Sequence, residues 1–93
     1  MMKLLEIIAV RTSGHFAEQA RQYLKEFCQT LKGPPIPEMN FYINSATNSD
    51  ISVILQWQER EQPNTKTDVG FSLASGLKRF GLVDHTCWVM MED

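Results

Sequence analysis

Histidine and cysteine are scarce in this chain, two of each among 93 residues. That scarcity limits the available chemistry. Cys28 and Cys87 cannot build a disulfide framework. A four-ligand metal centre would have to draw His15, Cys28, His85 and Cys87 together, so no metal is expected. Basic residues form no block and the formal net charge is −2, which leaves out the electrostatic footprint of a nucleic-acid binder. The apolar start, MMKLLEIIAV, carries Lys3 and Glu6 and is too short to cross a bilayer, so no membrane partner is expected. It also lacks the small-residue cleavage site of a secretory signal, and a mature cytoplasmic protein is the expectation. Repeats, low-complexity tracts and linkers are missing too. The length fits a single domain, 1–93.

What is present is ordinary globular composition, 43% hydrophobic and 22% charged. The segment 3–11, KLLEIIAVR, reads as a strand buried on both faces. Thr12 or Ser13 can cap the helix that follows. There the period changes: Phe16, Ala20, Tyr23, Leu24, Phe27, Cys28 and Leu31 form an apolar stripe opposite Glu18, Gln19, Gln22, Lys25 and Glu26. Gly33 is placed to end this helix, and Pro34, Pro35 and Pro37 cannot continue it. Residues 39–47 alternate, with Met39, Phe41 and Ile43 on one side. Asn48-Ser49-Asp50 is turn chemistry, and residues 51–59 alternate again, so the pair reads as a hairpin. Thr65 or Thr67 can cap a second helix with Val69, Leu73, Gly76, Leu77 and Phe80 on its stripe, ended by Gly81. Residues 83–91 form a fourth strand, with Val83, His85, Cys87 and Val89 on one face and Asp84, Thr86, Trp88 and Met90 on the other.

The order β-α-β-β-α-β predicts an α+β, ferredoxin-like fold: one four-stranded antiparallel sheet with both helices on one face. The other face would then carry Tyr42, Ile54, Trp88 and Met90, with Ile8 and Val10 beside them. Such a patch is large to leave in water. A second copy packing sheet against sheet would cover it, and a homodimer is expected. A chain this short also buries a limited share of its own surface.

In these features the chain resembles the dimeric α+β barrel superfamily, and within it the antibiotic biosynthesis monooxygenase group. The resemblance rests on length, element order, the Pro-bearing loop before the second strand, the run ISVILQWQE and the closing GLVDHTCWVMM. Trp57 matches a tryptophan that members commonly carry in strand three, beside a cavity between sheet and helices. The resemblance implies oxygenation of aromatic polyketides or quinols without metal or flavin; other members degrade haem. Two departures bear on this. Members often carry Glu two residues before the tryptophan, where this chain has Leu55. Haem-degrading members use a histidine on the second helix and an asparagine in strand one. Neither residues 66–80 nor KLLEIIAVR supply them, so haem degradation is not expected and no cofactor is implied.

His85 and Cys87 stand two apart on one strand face, roughly 6.5 to 7 Å along the chain. That spacing does not make a nucleophilic pair, and Cys87 reads as a small core residue. His85 falls on the helix-facing side. It reads either as a histidine hydrogen-bonded at the core edge or as a general base suited to neutral pH. Trp57 reads as core or as a donor to a ligand oxygen through its indole N–H, and Tyr23 is similar. Tyr42 and Trp88 suit the dimer face, and Arg11 and Glu59-Arg60-Glu61 read as solvated.

Two functions remain. In the first, a pocket lined by Phe16, Tyr23, Phe27, Phe41, Trp57, Leu73, Leu77, His85 and Cys87 takes a small aromatic ligand. His85 is the catalytic candidate, with Trp57, Tyr23, Phe41 and Cys87 as ligand contacts. By the resemblance, His85 would deprotonate a phenol or quinol that then reacts with oxygen. In the second, the chain is a non-catalytic dimeric module, either binding a small molecule or structural. RNA recognition on the open sheet face is disfavoured, because Asn40, Asn44, Ser52, Gln56 and Gln58 supply no charge there.

Overall fold

Period-two burial on the strands and three-to-four spacing on the helices give the sheet and the helices apolar faces that pack together in two layers. A computed structural model describes residues 2–31, 37–60 and 66–91. The elements are β1 (Met2–Thr12), α1 (Ala17–Thr30), β2 (Glu38–Ile43), β3 (Asp50–Arg60), α2 (Asp68–Leu77) and β4 (Gly81–Val89). Short 3-10 turns, Gly14–Phe16 and Lys78–Phe80, precede α1 and follow α2. The strands are antiparallel in the order β2-β3-β1-β4. This is the expected ferredoxin-like α+β architecture, with β3 and β1 inside and β2 and β4 at the edges.

The core lies between sheet and helices. Leu4, Ile8 and Val10 of β1, Ile51, Val53, Leu55 and Trp57 of β3, Ala20 and Leu24 of α1, and Leu73, Ala74 and Leu77 of α2 are all buried in one cluster. Two expectations change here. Ile8 and Val10 belong to this core and not to the open face, because β1 alternates with its even-numbered residues toward the helices. The open face instead carries the half-buried Leu5, Ile7 and Ala9. The α2 stripe also includes Gly70 and Ala74, small residues that let the helix sit close to the sheet.

Several element ends shift for local reasons. Thr12 is the last residue of β1, not a helix cap. Its hydroxyl donates to the Ser49 carbonyl at 2.7 Å, which ties the β2–β3 turn to β1. Ser13 makes no capping bond, since the 3-10 turn intervenes before α1. β2 stops at Ile43, before the expected 47, because the Asn44 side chain accepts from the backbone N–H groups of Ala46 (2.7 Å) and Thr47 (3.2 Å). Thr67 is the N-cap of α2, accepting from the Gly70 N–H. Gly81 starts β4 and does not end α2. A Cβ there would lie 2.1 Å from the Arg11 carbonyl oxygen, so the β1–β4 pairing itself requires glycine. β4 ends at Val89, leaving Met90 and Met91 beyond the strand and exposed. The helix stop at Gly33 and Pro34-Pro35 and the alternative cap Thr65 lie outside the described residues.

Leu73 has no exposed surface, at the centre of α2's buried stripe. Leu73→Ala is expected to cost about 2–5 kcal/mol, read as a lower urea midpoint at unchanged slope. A loss below about 1 kcal/mol would contradict the core placement.

Candidate active site

Among the described residues one charged side chain is fully buried in this core. Glu6 sits between Leu4 and Ile8 on β1, on the face that the alternation turns toward the helices, and has 0% exposure. An isolated carboxylate there would be far too costly to keep ionised. Three neighbouring elements supply donors. Trp57 on β3 donates its indole Nε1–H to Oε1 at 2.8 Å. Thr67, at the start of α2, donates its hydroxyl to the same oxygen and its backbone N–H to Oε2 at 3.2 Å. His85 on β4 approaches Oε2 through Nε2 at 2.7 Å. The carboxylate also lies at the N-terminal end of α2, where the helix dipole favours negative charge.

The local sequence explains why these groups converge. Strand register sets Glu6 opposite Leu55 on one side and Cys87 on the other. Trp57 lies two positions after Leu55 and His85 two positions before Cys87, both on the same face. Thr67 accepts from the Gly70 N–H at 2.9 Å while donating to Glu6, so capping the helix and holding the carboxylate are done by one hydroxyl. Gly70 leaves the space in which the two side chains meet. A Cβ at that position would fall 2.1 Å from Glu6 Oε2 and 2.9 Å from His85 Nε2. The His85 side chain is 8% exposed, and Phe71 stands edge-on to its ring at 5.5 Å between centroids.

The structure brings two of the expected site residues together, His85 and Trp57, through a third that the sequence reading missed. Glu6 was legible in one respect: it is the single charge within an otherwise apolar run, in phase with Leu4, Ile8 and Val10. Thr67 was expected only as a cap, and Gly70 and Phe71 were not singled out. Trp57 has its indole N–H engaged by Glu6 and is 4% exposed. Tyr23 belongs to a separate cluster. Its ring packs against Phe27 and Phe80, Arg79 lies 5.0 Å above it, and its hydroxyl reaches over Gly76. Phe41 is 44% exposed on β2, the edge of the sheet opposite β4. Cys87 is half-buried against the core.

The expected interior pocket is occupied by the chain's own side chains: Leu55, Leu73 and Leu77 have no exposure. Three depressions of the described surface lie elsewhere. One of about 420 Å³ runs beside Leu4, Leu5, Trp57 and Trp88, one of about 410 Å³ beside Arg11, Tyr42 and Asp84, and one of about 360 Å³ beside Tyr23 and Arg79. Neither Glu6 nor His85 lines any of these three. Burial pushes the Cys28 thiol up, which disfavours its nucleophilic thiolate, and its sulfur lies 3.9 Å from that of Met39. Among the described residues no group of three or more His, Cys, Asp or Glu side chains could hold a metal ion, and no helix is long and apolar enough to cross a membrane.

No protein-family model matches the sequence, and no curated protein matches it significantly. Solved structures do match the fold. A conserved protein of unknown function from Bacteroides thetaiotaomicron superposes with a TM-score of 0.72 at 15% identity, covering 96% of this chain and 98% of that one. An antibiotic biosynthesis monooxygenase gives 0.67 at 13% identity, covering 97% and 98%. SnoaB, a cofactor-independent oxygenase from Streptomyces nogalater, gives 0.63 at 9% identity, covering 98% and 95%. The chain therefore has the fold of antibiotic biosynthesis monooxygenase-like proteins over nearly its whole length. At these identities the likeness concerns the fold, and the site must be argued from its own residues.

Replacing a helical glycine by alanine ordinarily stabilises by up to about 1 kcal/mol. At Gly70 the sign reverses: Gly70→Ala is expected to destabilise by about 1–3 kcal/mol, because the methyl group displaces Glu6 from its donors. Chemical denaturation beside Gly14→Ala, where nothing lies within 4 Å of the added carbon, checks this. A Gly70→Ala protein as stable as the parent would mean that the carboxylate is not held as described.

Proposed function

We propose that this chain is a monooxygenase-like protein that acts on a small aromatic substrate, a phenol or quinol, with His85 as its general base. One arrangement carries the proposal: a histidine near the surface, backed by a fully buried carboxylate 2.7 Å away. Carboxylate and imidazole in that order form the usual means of orienting a basic nitrogen. His85 would take the phenolic proton, leaving an electron-rich anion that reacts with dioxygen. A phenol oxidised to its quinone gives up four electrons and dioxygen accepts four. One oxygen atom becomes the new carbonyl and the other leaves as water, so the balance needs no further reductant. Two structures with the same fold, described as an antibiotic biosynthesis monooxygenase and a cofactor-independent oxygenase, support this chemical class. Substrate would approach beside Phe71, a residue 53% exposed whose ring stands next to His85 and offers an aromatic surface for contact.

A second copy of the chain is part of the proposal. The sheet face without helices carries Leu5, Ile7, Ile54 and the exposed Tyr42 and Trp88. Register sets Ile7 directly between Ile54 and Thr86, and Leu5 between Gln56 and Trp88, which makes the patch continuous across three strands. Sheet-on-sheet packing would remove it from water.

The filled interior favours a second reading, a non-catalytic dimeric module in which the Glu6 network is structural. Oxygen uptake and quinone absorbance over a panel of phenols, hydroquinones and anthrones separate the two. The oxygenase reading expects turnover, with His85→Ala lowering kcat by roughly 10²- to 10⁴-fold. Turnover untouched by His85→Ala removes the base, and no uptake across the panel favours the module. For assembly, sedimentation at micromolar concentration is expected to show a dimer that Ile54→Lys converts to monomer. A monomeric parent would remove the second copy.

A further inference from the structure

We infer that Glu6 is a positioning residue that holds His85 in its Nε2–H tautomer, so that Nδ1 is the basic atom presented to a substrate. Donor accounting at the carboxylate leads there. The Trp57 indole and the Thr67 backbone can only donate. The Thr67 hydroxyl already accepts from the Gly70 N–H at 2.9 Å, so its own hydrogen points at Glu6. With Glu6 ionised, its carboxylate accepts and never donates, and the imidazole nitrogen 2.7 Å from Oε2 then carries the hydrogen. In a neutral imidazole the other nitrogen is then the acceptor. Among the described residues no hydrogen bond to Nδ1 is seen, and the His85 side chain keeps 8% exposure.

The two carboxylate oxygens are not equivalent, and this makes the inference testable. Oε1 accepts from two side-chain donors, Trp57 and Thr67. Oε2 faces the Thr67 backbone N–H and His85. In a Glu6→Gln protein the amide oxygen is expected in the Oε1 place, because the Trp57 indole there can only donate whereas His85 at the other place can turn acceptor, and the Thr67 backbone N–H then gives up its bond. The NH₂ group then faces His85, whose Nε2 becomes an acceptor and whose hydrogen moves to Nδ1. The tautomer reverses while the shape of the site is kept, and the basic nitrogen turns inward. For a base held this way, loss of the correct tautomer costs on the order of 10⁴-fold in kcat.

The catalytic consequence rests on the base role proposed above, but the tautomer does not, and the two can fail separately. The chain has two histidines, so a His15→Gln background leaves His85 as the sole imidazole. Long-range ¹H–¹⁵N NMR at alkaline pH, where the ring is neutral, reads its tautomer directly. The Nε2–H pattern is expected in this background and in Thr67→Ser, which keeps every donor. The Nδ1–H pattern is expected in Glu6→Gln. An Nδ1–H pattern in the His15→Gln parent overturns the inference, whether or not Glu6→Gln folds. An unchanged Nε2–H pattern in a folded Glu6→Gln protein also overturns it. An Nε2–H parent that oxidises no phenol leaves Glu6 positioning His85 and removes the oxygenase reading alone.

Discussion

A carboxylate with no exposure in the middle of an inner strand constrains everything around it. Glu6 is tolerable there only because three elements that are far apart in sequence bring hydrogen-bond donors to it. β3 contributes an indole, the first turn of α2 a hydroxyl and a backbone N–H, and β4 an imidazole. These bonds join the helix layer to three adjacent strands at one point. They also explain two choices that look unrelated in the chain. Thr67 must be a hydroxyl residue that both caps and relays, and Gly70 must lack a side chain because the carboxylate and imidazole occupy its space.

The same constraint changes what kind of site this is. An apolar chamber between sheet and helices would suit a flat ligand, but Leu55, Leu73, Leu77 and Trp57 fill that layer. What remains polar is a line from the buried carboxylate through His85 toward the surface beside Phe71. Proteins sharing this fold at 9–15% identity include oxygenases and a protein of unknown function, and fold likeness at that distance does not transfer a site. Position 55, where the resemblance leads one to expect Glu, holds Leu. Leu55 is the register partner of Glu6 on the adjacent strand.

Much of the architecture was legible because it depends on periodicity. Alternation in residues 39–43 and 51–57 and the stripe through Ala20, Leu24 and Phe27 are local properties that tertiary contacts reinforced. Errors arose where local polar groups compete with that pattern. Asn44 binds its own backbone and ends β2 early, and Thr12 bonds across to Ser49 and not forward into a helix. The phase of β1 was harder. KLLEIIAVR is apolar on both faces, so alternation within it does not say which residues look inward. That ambiguity misplaced Ile8 and Val10, and it concealed Glu6.

The sequence by itself determined the element order, the ferredoxin-like layering and the candidacy of His85 and Trp57, because hydrophobic spacing and residue chemistry are written locally along the chain. Only the tertiary structure decided that these two side chains meet at Glu6, that the Trp57 N–H is engaged there, and that Leu55, Leu73 and Leu77 are fully buried between helices and sheet. Hydrogen bonds spanning 51, 61 and 79 positions along the chain follow from strand register and helix docking. No local pattern encodes either one.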